Sequence, residues 1–523
     1  MSYKVCIPTA GTGSRLGALT RYLNKSLVSI ANRPTICHLI EQFPSDTKFV
    51  IALGHKGNLV QEFLELAYPG RHFDYAQVDP YEGEGSGLGL SLLACKKFLQ
   101  EPFILISCDT LVGEFISPPV QNWMGYSEVQ ENDPYRTLEI AYDQVLEICE
   151  KGVGASPDHK PYIGLAGIFD YAIFWSAMES GGVKAIQMGE AHGLRGLLQK
   201  KGIKAKSFVW HDTGNIKALQ RTRHFYCEPN EPNILEKANE AIWFVGDHVI
   251  KFSEDKKFIV NRIKRVNELE GFIPNITGSG IHMYRYAKVN GTIFSDAVDL
   301  QLFKKLLEHS SKFWKLKSLD DQQQISFKET CMQFYRDKTY ERVELFYKNF
   351  SRKDGIENIN GKKMPLLKKL LDTIDWGWIA NPLEGRFHGD FHFENILWTP
   401  SSQKFTFLDW RQDFGGNISV GDIYYDFAKL MHGLIISHEL ITKDLYDVTW
   451  ISSEINFEFL RKQKLVECER YFSYWLDSNG YDTKKVRVMT ALIFLNIAAL
   501  HHYPYSLLLF GLGKSMLKIE LES

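Results

Sequence analysis

The sequence predicts an α/β domain built on a mostly parallel sheet, followed by an α+β domain in which a small sheet leads into a helical lobe. Three observations carry this. Up to about residue 210, short apolar runs of strand character alternate with helix-like segments. Residues 227–233, CEPNEPN, then break the periodicity with two prolines and two asparagines. Beyond them, residues 241–253 read as a strand pair turning at Gly246-Asp247, and most of residues 296–371 and 420–517 reads as helical. The expected domains are therefore 1–228 and 234–523.

Taken in order, the expected strands of the first domain are residues 3–9, 49–53, 103–107, 163–169 and 207–210. In such a layer, ligands collect beyond the carboxyl ends of the strands, so the loops that follow them matter most. A chain of 523 residues with 44% hydrophobic and 24% charged residues can bury two sizeable cores. Lys plus Arg number 61 against 63 Asp plus Glu, which excludes the basic field that nucleic acid or an anionic membrane would need. The eight cysteines stand singly with no CxxC pair, the pattern of reduced thiols without metal-ligand spacing. The chain enters its first strand without a basic and then apolar leader, and its most apolar late stretch, residues 491–500, contains Asn496 and falls short of the ~20 residues of a spanning helix. A cytoplasmic protein with neither a nucleic-acid nor a membrane partner is expected, and a homo-oligomer is compatible with these features.

The first strand ends in PTAGTGSRLG, residues 8–17, a loop whose small residues let backbone N–H groups approach phosphate oxygens. Its spacing, G-x-G-x-x-x-G, departs from the dinucleotide fingerprint, and GHKG at residues 54–57 lacks the acidic residue that grips an NAD ribose. Lys25 follows Arg15, Asp109 follows the run PFILIS, and then come Glu150-Lys151, YIGLAGIF at residues 162–169 and WHDTG at residues 210–214. Together and in this order these segments resemble the sugar-1-phosphate nucleotidyltransferase family, with Asn24 where that family has proline. The resemblance implies a Rossmann-like domain in which Gly11, Gly13, Ser14, Arg15, Lys25 and Gly87 hold the NTP, with Lys25 also catalytic. It further implies that Lys151, Gly167 and Glu190 hold the acceptor phosphate and its hydroxyls, and that Asp109 and Asp212 are Mg²⁺ ligands. Residues 82–89, EGEGSGLG, occupy the place where the family reads the base, without indicating whether it is CTP or UTP. The chemistry explains the set: two anionic reactants must be brought together, and lysines with a divalent cation offset their repulsion.

Residues 387–397 read FHGDFHFENIL and residues 405–410 read FTFLDW, which resembles the aminoglycoside phosphotransferase and choline kinase family with its protein-kinase-like fold. The resemblance implies that Asp390 is catalytic toward the acceptor hydroxyl, that Asn395 and Asp409 hold Mg²⁺ on ATP, and that Lys251 pairs the ATP phosphates. Glu268 is the candidate partner of that lysine, since Arg265 stands where an acidic residue would be convenient. In GDIYYDFA, residues 421–428, Asp426 is read as a brace of the catalytic loop, and His388 and His392 as hydrogen-bonding braces rather than zinc ligands.

A kinase makes a phosphorylated small molecule and a nucleotidyltransferase consumes one. The combined reading is an enzyme that phosphorylates a hydroxylated metabolite, a sugar first, with ATP and couples the phosphate to a second NTP for surface glycan synthesis, releasing pyrophosphate. The alternatives are a choline- or ethanolamine-type kinase with a cytidylyltransferase, for which Trp450, Tyr471, Phe472, Tyr474 and Trp475 could wall a cation, and a kinase-like domain that only senses nucleotide.

Overall fold

The computed structural model describes residues 2–128, 135–152, 159–227 and 237–522. They form two compact units, Met1–Ile259 with Ile276–Lys288, and Val260–Asn275 with Val289–Ser523.

The first unit is centred on a nine-stranded sheet. Its order is Phe73–Gln77, Lys48–Leu53, Lys4–Pro8, Phe103–Ile106, Lys160–Ile168, Trp123–Tyr126, Lys204–Ser207, Gln144–Cys149, Thr137–Ala141. The first four strands are parallel. From Lys160–Ile168 onward the pairings are antiparallel, apart from the parallel pair Trp123–Tyr126 with Lys204–Ser207. The apolar runs explain the parallel half, since Val5, Ile7, Phe49, Ile51, Ile104 and Ile106 are buried and side chains from both faces of these strands enter cores. The segment at 207–210 is not one strand. Lys204–Ser207 lies in the large sheet, and Trp210–Asp212 leaves it to pair antiparallel with Thr110–Val112.

The domain boundary expected at 228–234 lies outside the described residues. The compact unit runs past it, because the four-stranded sheet of Glu240–Val245, His248–Ser253, Met283–Ala287 and Ile276–Ser279 shares the core of the first unit. Trp243 packs edge-on to Phe63 at 5.2 Å, and Glu62 of the helix Gly57–Ala67 accepts from the backbone of His282 and Met283. Lys251 lies on this sheet, buried, opposite Ile242 and Tyr284.

The second unit is mainly helical, with two small sheets of three and four strands and a two-stranded pair of Glu384–Gly385 with Gly421–Asp422. The hairpin of Ile396–Thr399 and Lys404–Phe407 extends into a three-stranded sheet with Thr292–Ile293. A second hairpin, Tyr446–Ile451 with Glu454–Phe459, interrupts the stretch expected to be helical, and Glu357–Ile359 with Lys362–Met364 joins it. Its strands alternate, burying Val448, Trp450 and Ile455 against the helix Tyr505–Glu522. An aromatic cluster of Phe272, Phe313, Trp314, Phe391, Phe407 and Phe427 fills the space behind the loop at 387–397. No helix among the described residues is long and apolar enough to cross a membrane.

Candidate active sites

In the first unit a cavity of about 480 Å³ opens beyond the ends of the parallel strands. Gly11, Arg15, Lys25, Gly87, Asp109, Lys151, Glu190 and Asp212 all line it. Two short strands bring the aspartates together: Asp212 lies opposite Thr110 in the ribbon register, so Asp109 sits directly beside it, and Thr213 N–H donates to the Asp109 carbonyl at 3.0 Å. A methyl group built on Gly214 would lie 3.1 Å from Asp212 Oδ1 and 3.2 Å from Asp109 Oδ2, so the two carboxylates face one narrow space.

Lys25 Nζ contacts Asp109 Oδ2 at 3.1 Å. Burial opposes the charge on Lys25, but Asp109 outweighs it and holds the ammonium protonated above its usual range. Burial likewise pushes the Asp109 carboxyl up, and Lys25, aided by Ser107, brings it below the usual carboxylate range. Asn24, fully buried, sets this lysine: its Nδ2 donates to the carbonyls of Thr9 and His55, and its Oδ1 accepts from Ser26 N and Oγ. Asp212 is pushed up by burial, partly offset by Gly214 N–H at 2.8 Å, with the Tyr135 hydroxyl also donating to it at 3.1 Å.

At the acceptor end, Glu190 is buried and pushed up by desolvation, with Arg136 Nη1 at 3.7 Å acting against it. Its Oε2 has no hydrogen-bond partner among the described residues. Arg136 also donates to Glu150 at 3.0 Å, and Arg195 holds the other Glu150 oxygen at 2.8 Å. Sequence reasoning missed Arg136 and Tyr135, which stand beyond the quoted motifs and reach the cavity only through the turn of the far antiparallel strands.

Three residues expected in this site lie outside the lining. Gly13 packs behind the loop against Lys25 and Thr20, and Ser14 is exposed at the start of the short 3₁₀ segment Ser14–Thr20. Gly167 is a correction to the acceptor set. It lies within the sheet opposite Ile104 and Trp123, where a β-carbon would meet the Trp123 indole nitrogen at 2.1 Å, so it is glycine for close packing. Gly164, earlier on the same strand, lines the cavity instead.

The two facing carboxylates fit a hard divalent cation that takes its remaining oxygen ligands from phosphate and water. Among the described residues no group of three or more His, Cys, Asp or Glu side chains could hold a metal ion.

In the second unit a cavity of about 340 Å³ holds Asp390 and Asp409, with Asn395 beside them. The hairpin sets this pair: Ile396 lies opposite Phe407, and Leu408 N–H donates to the Asn395 carbonyl at 2.7 Å, so Asp409 follows at once. Asn395 Nδ2 donates to the Asp390 carbonyl at 2.9 Å and to its carboxylate at 3.2 Å, which leaves the amide oxygen for a cation beside Asp409. Asp409 has the left-handed φ of 56°, uncommon for a side chain other than Asn or Asp, and accepts from Arg262 at 3.1 Å.

Asp390 is half-buried, and desolvation alone would raise its pKa, but Lys429 at 2.7 Å and His392 hold it well below the usual carboxylate range. Desolvation pulls the half-buried His392 down, yet Asp390 and Glu394 draw it up to about 9. Asp426 accepts the backbone N–H of His388 and of Gly389, both at 2.7 Å, and the Trp314 indole at 3.1 Å, which fixes the loop carrying Asp390. Arg265 is a second brace: fully buried over the Phe387 ring, it donates to the carbonyls of Phe387 and Arg411. Glu268 is paired with Lys317 at 2.7 Å. Arg262 lines the same cavity, and so do Lys338, Arg342 and Lys429 on helices and Arg411 in the loop after Trp410; these last four were not singled out from the sequence, because isolated basic residues carry no motif.

Residues 319–441 match the phosphotransferase enzyme family. The N-terminal region is similar to nucleotidyltransferases. It is 23% identical over 148 residues to the bifunctional protein GlmU of Methanococcus vannielii, covering 27% of this chain and 34% of that protein. It is 28% identical over 184 residues to the low-salt glycan biosynthesis nucleotidyltransferase Agl11 of Haloferax volcanii, covering 32% of this chain and 49% of that one. The match thus spans about a third of the length of the Methanococcus GlmU proteins and 59% of that of the Methanocaldococcus jannaschii GlmU. Among solved structures, a UTP-bound UGPase from Acinetobacter baumannii superposes with a TM-score of 0.37 at 17% identity, over 44% of this chain and 96% of that one.

Proposed function

We propose that the chain is a transferase with two active sites. The C-terminal site phosphorylates a hydroxylated small molecule, a sugar in the first instance, with ATP, and the N-terminal site couples the resulting phosphate to CTP or UTP. The observation that carries this reading is the convergence of Arg15, Lys25, Lys151, Asp109 and Asp212 on one cavity, two facing carboxylates among three cations. That distribution suits two phosphate groups bound with a cation between them. The supporting observation in the second unit is Asp390, braced through Asp426 and set beside Asn395 and Asp409.

In the C-terminal step the acceptor hydroxyl oxygen attacks the γ-phosphorus of ATP, the bond from that phosphorus to the bridging oxygen breaks, and ADP leaves. Asp390 orients the hydroxyl and takes its proton as the oxygen loses charge to phosphorus. Lys429 keeps Asp390 ionised, so that its carboxylate can accept the hydrogen bond of the acceptor hydroxyl. In the N-terminal step an oxygen of the acceptor phosphate attacks the α-phosphorus of the NTP, and pyrophosphate leaves. Lys25 and Arg15 offset the charge on the NTP phosphates, and Lys151 holds the attacking phosphate. Asp109 and Asp212 in one site, and Asn395 and Asp409 in the other, would hold Mg²⁺, which when bound screens the phosphate charge. A product destined for glycan assembly accords with the glycan-synthesis relative.

The test is to incubate the protein with ATP, CTP or UTP, Mg²⁺ and a panel of sugars, polyols, choline and ethanolamine, following pyrophosphate and nucleotide products by mass spectrometry. A nucleotide-linked product from a free acceptor is expected. Pyrophosphate only from pre-phosphorylated acceptors, together with no effect of Asp390→Asn on any turnover, would reduce the C-terminal domain to a nucleotide-sensing module.

A further inference from the structure

The cavity around Asp390 carries five cationic side chains, Arg262, Lys338, Arg342, Arg411 and Lys429, against two carboxylates. Those carboxylates are already engaged, Asp390 by Lys429 and Asp409 by Arg262. Lys338, Arg342 and Arg411 make no ion pair among the described residues. Lys338 and Arg411 lie against the same Phe334 ring, at 4.3 and 5.1 Å from its centre, and Arg411 Nε is buried without a hydrogen-bond partner. Burial, reinforced by Arg411, Arg342 and Lys429, drives the Lys338 ammonium down to about 7, the condition of a cation crowded by its own kind. A wall of Met489, Leu492 and Ile493 faces this group, and within it Asn496 Oδ1 is buried with no partner. Trp450, Tyr471, Phe472, Tyr474 and Trp475 are not in the lining. Trp450 stacks instead on Phe510 at 5.1 Å and Phe472 on Trp475 at 6.0 Å, and Tyr474 is exposed.

Building on the phosphotransfer reading, we infer that the acceptor phosphorylated in this cavity carries an anionic group, a carboxylate or phosphate, seated on Lys338, Arg342 and Arg411 while its hydroxyl faces Asp390. An acid sugar or hydroxy acid fits this requirement. A quaternary ammonium does not, because it would add a sixth positive charge to the cavity. Asn496 Oδ1 supplies an acceptor for a further hydroxyl or N–H of the same molecule.

The γ-phosphate of ATP is the other source of an anion near these cations, and the experiment separates the two. Inorganic phosphate and, separately, oxalate are titrated calorimetrically into the full chain saturated with Mg²⁺ and a non-hydrolysable ATP analogue. Binding is expected to persist in the presence of the analogue, to weaken about tenfold or more in Lys338→Met and in Arg342→Met, and to survive in Lys338→Arg. Anion binding at the N-terminal cavity is common to all four proteins and cancels in the comparison. Loss of the anion on adding the analogue would assign the cations to the nucleotide and overturn the inference. Equal binding in wild type and both methionine variants, or no binding of either anion, would overturn it as well. Failure of the phosphotransfer reading is a separate result, seen as absence of analogue binding or of any ATP turnover with the acceptor panel.

Discussion

Both cavities set two oxygen-donor residues side by side on a two-stranded ribbon, yet the ribbons differ in origin. Asn395 and Asp409 flank the arms of one hairpin, whereas Asp109 and Asp212 meet where strands from distant parts of the chain pair. A hairpin keeps its pair together through a short turn, and the distant pair holds only when the whole unit is folded. The electrostatics differ too. The lining of the first cavity sets Arg15, Lys25, Arg136 and Lys151 against Glu82, Asp109, Glu190 and Asp212, while that of the second sets five cations against Asp390 and Asp409. One site is balanced before its ligands arrive, and the other is balanced by a ligand.

The largest expected effect is metal removal. EDTA should stop pyrophosphate release and ATP consumption together, and pyrophosphate release that persisted would separate Asp109 and Asp212 from any metal role. Next, Asp390→Asn should lower phosphoryl transfer about 10²–10⁴-fold while leaving pyrophosphate release from a supplied phosphorylated acceptor unchanged. A fall in both rates would mean the two sites are not independent. Gly167→Ala should cost about 1–3 kcal/mol of stability, read from the denaturation midpoint, because the methyl must displace Trp123, with the acceptor KM unaltered at the temperature of assay. A shift in KM at unchanged stability would return Gly167 to the acceptor site.

The smallest effect is a pH dependence confined to the second unit. Burial lowers His388 from its ordinary 6.5 to about 3, with its Nε2 against the Leu408 carbonyl and its Nδ1 accepting from Asp390 N–H. The folded state therefore binds fewer protons than the unfolded state between these values. The contribution of His388 is fully present above pH 6.5 and is lost as pH falls toward 3. Denaturation midpoints measured from pH 7 to pH 4 should fall more steeply in wild type than in His388→Gln, and identical slopes would show that another group governs the acid limb.

How much of this could be read from the chain varied with locality. The strand Lys4–Pro8 and its loop, the pair Glu240–Val245 and His248–Ser253, and the run FHGDFHFENIL declare themselves over a few consecutive residues. The hairpin Tyr446–Ile451 with Glu454–Phe459 lay between two long helical stretches, although its own residues alternate and are rich in β-branched and aromatic side chains. Gly167 looked like a ligand contact only because its neighbours in YIGLAGIF were judged without knowing that Trp123 covers it.

The sequence by itself determined the kinds of chemistry present, since glycine-rich loops, paired aspartates and lysines at set spacings are one-dimensional facts with a physical meaning. Tertiary structure alone decided which charges meet. Lys338, Arg342 and Arg411 are ordinary basic residues until the fold places them around one cavity, where Lys338 loses water and feels the two arginines. Coulomb energy depends on distance and on the medium between charges, and neither is written along the chain.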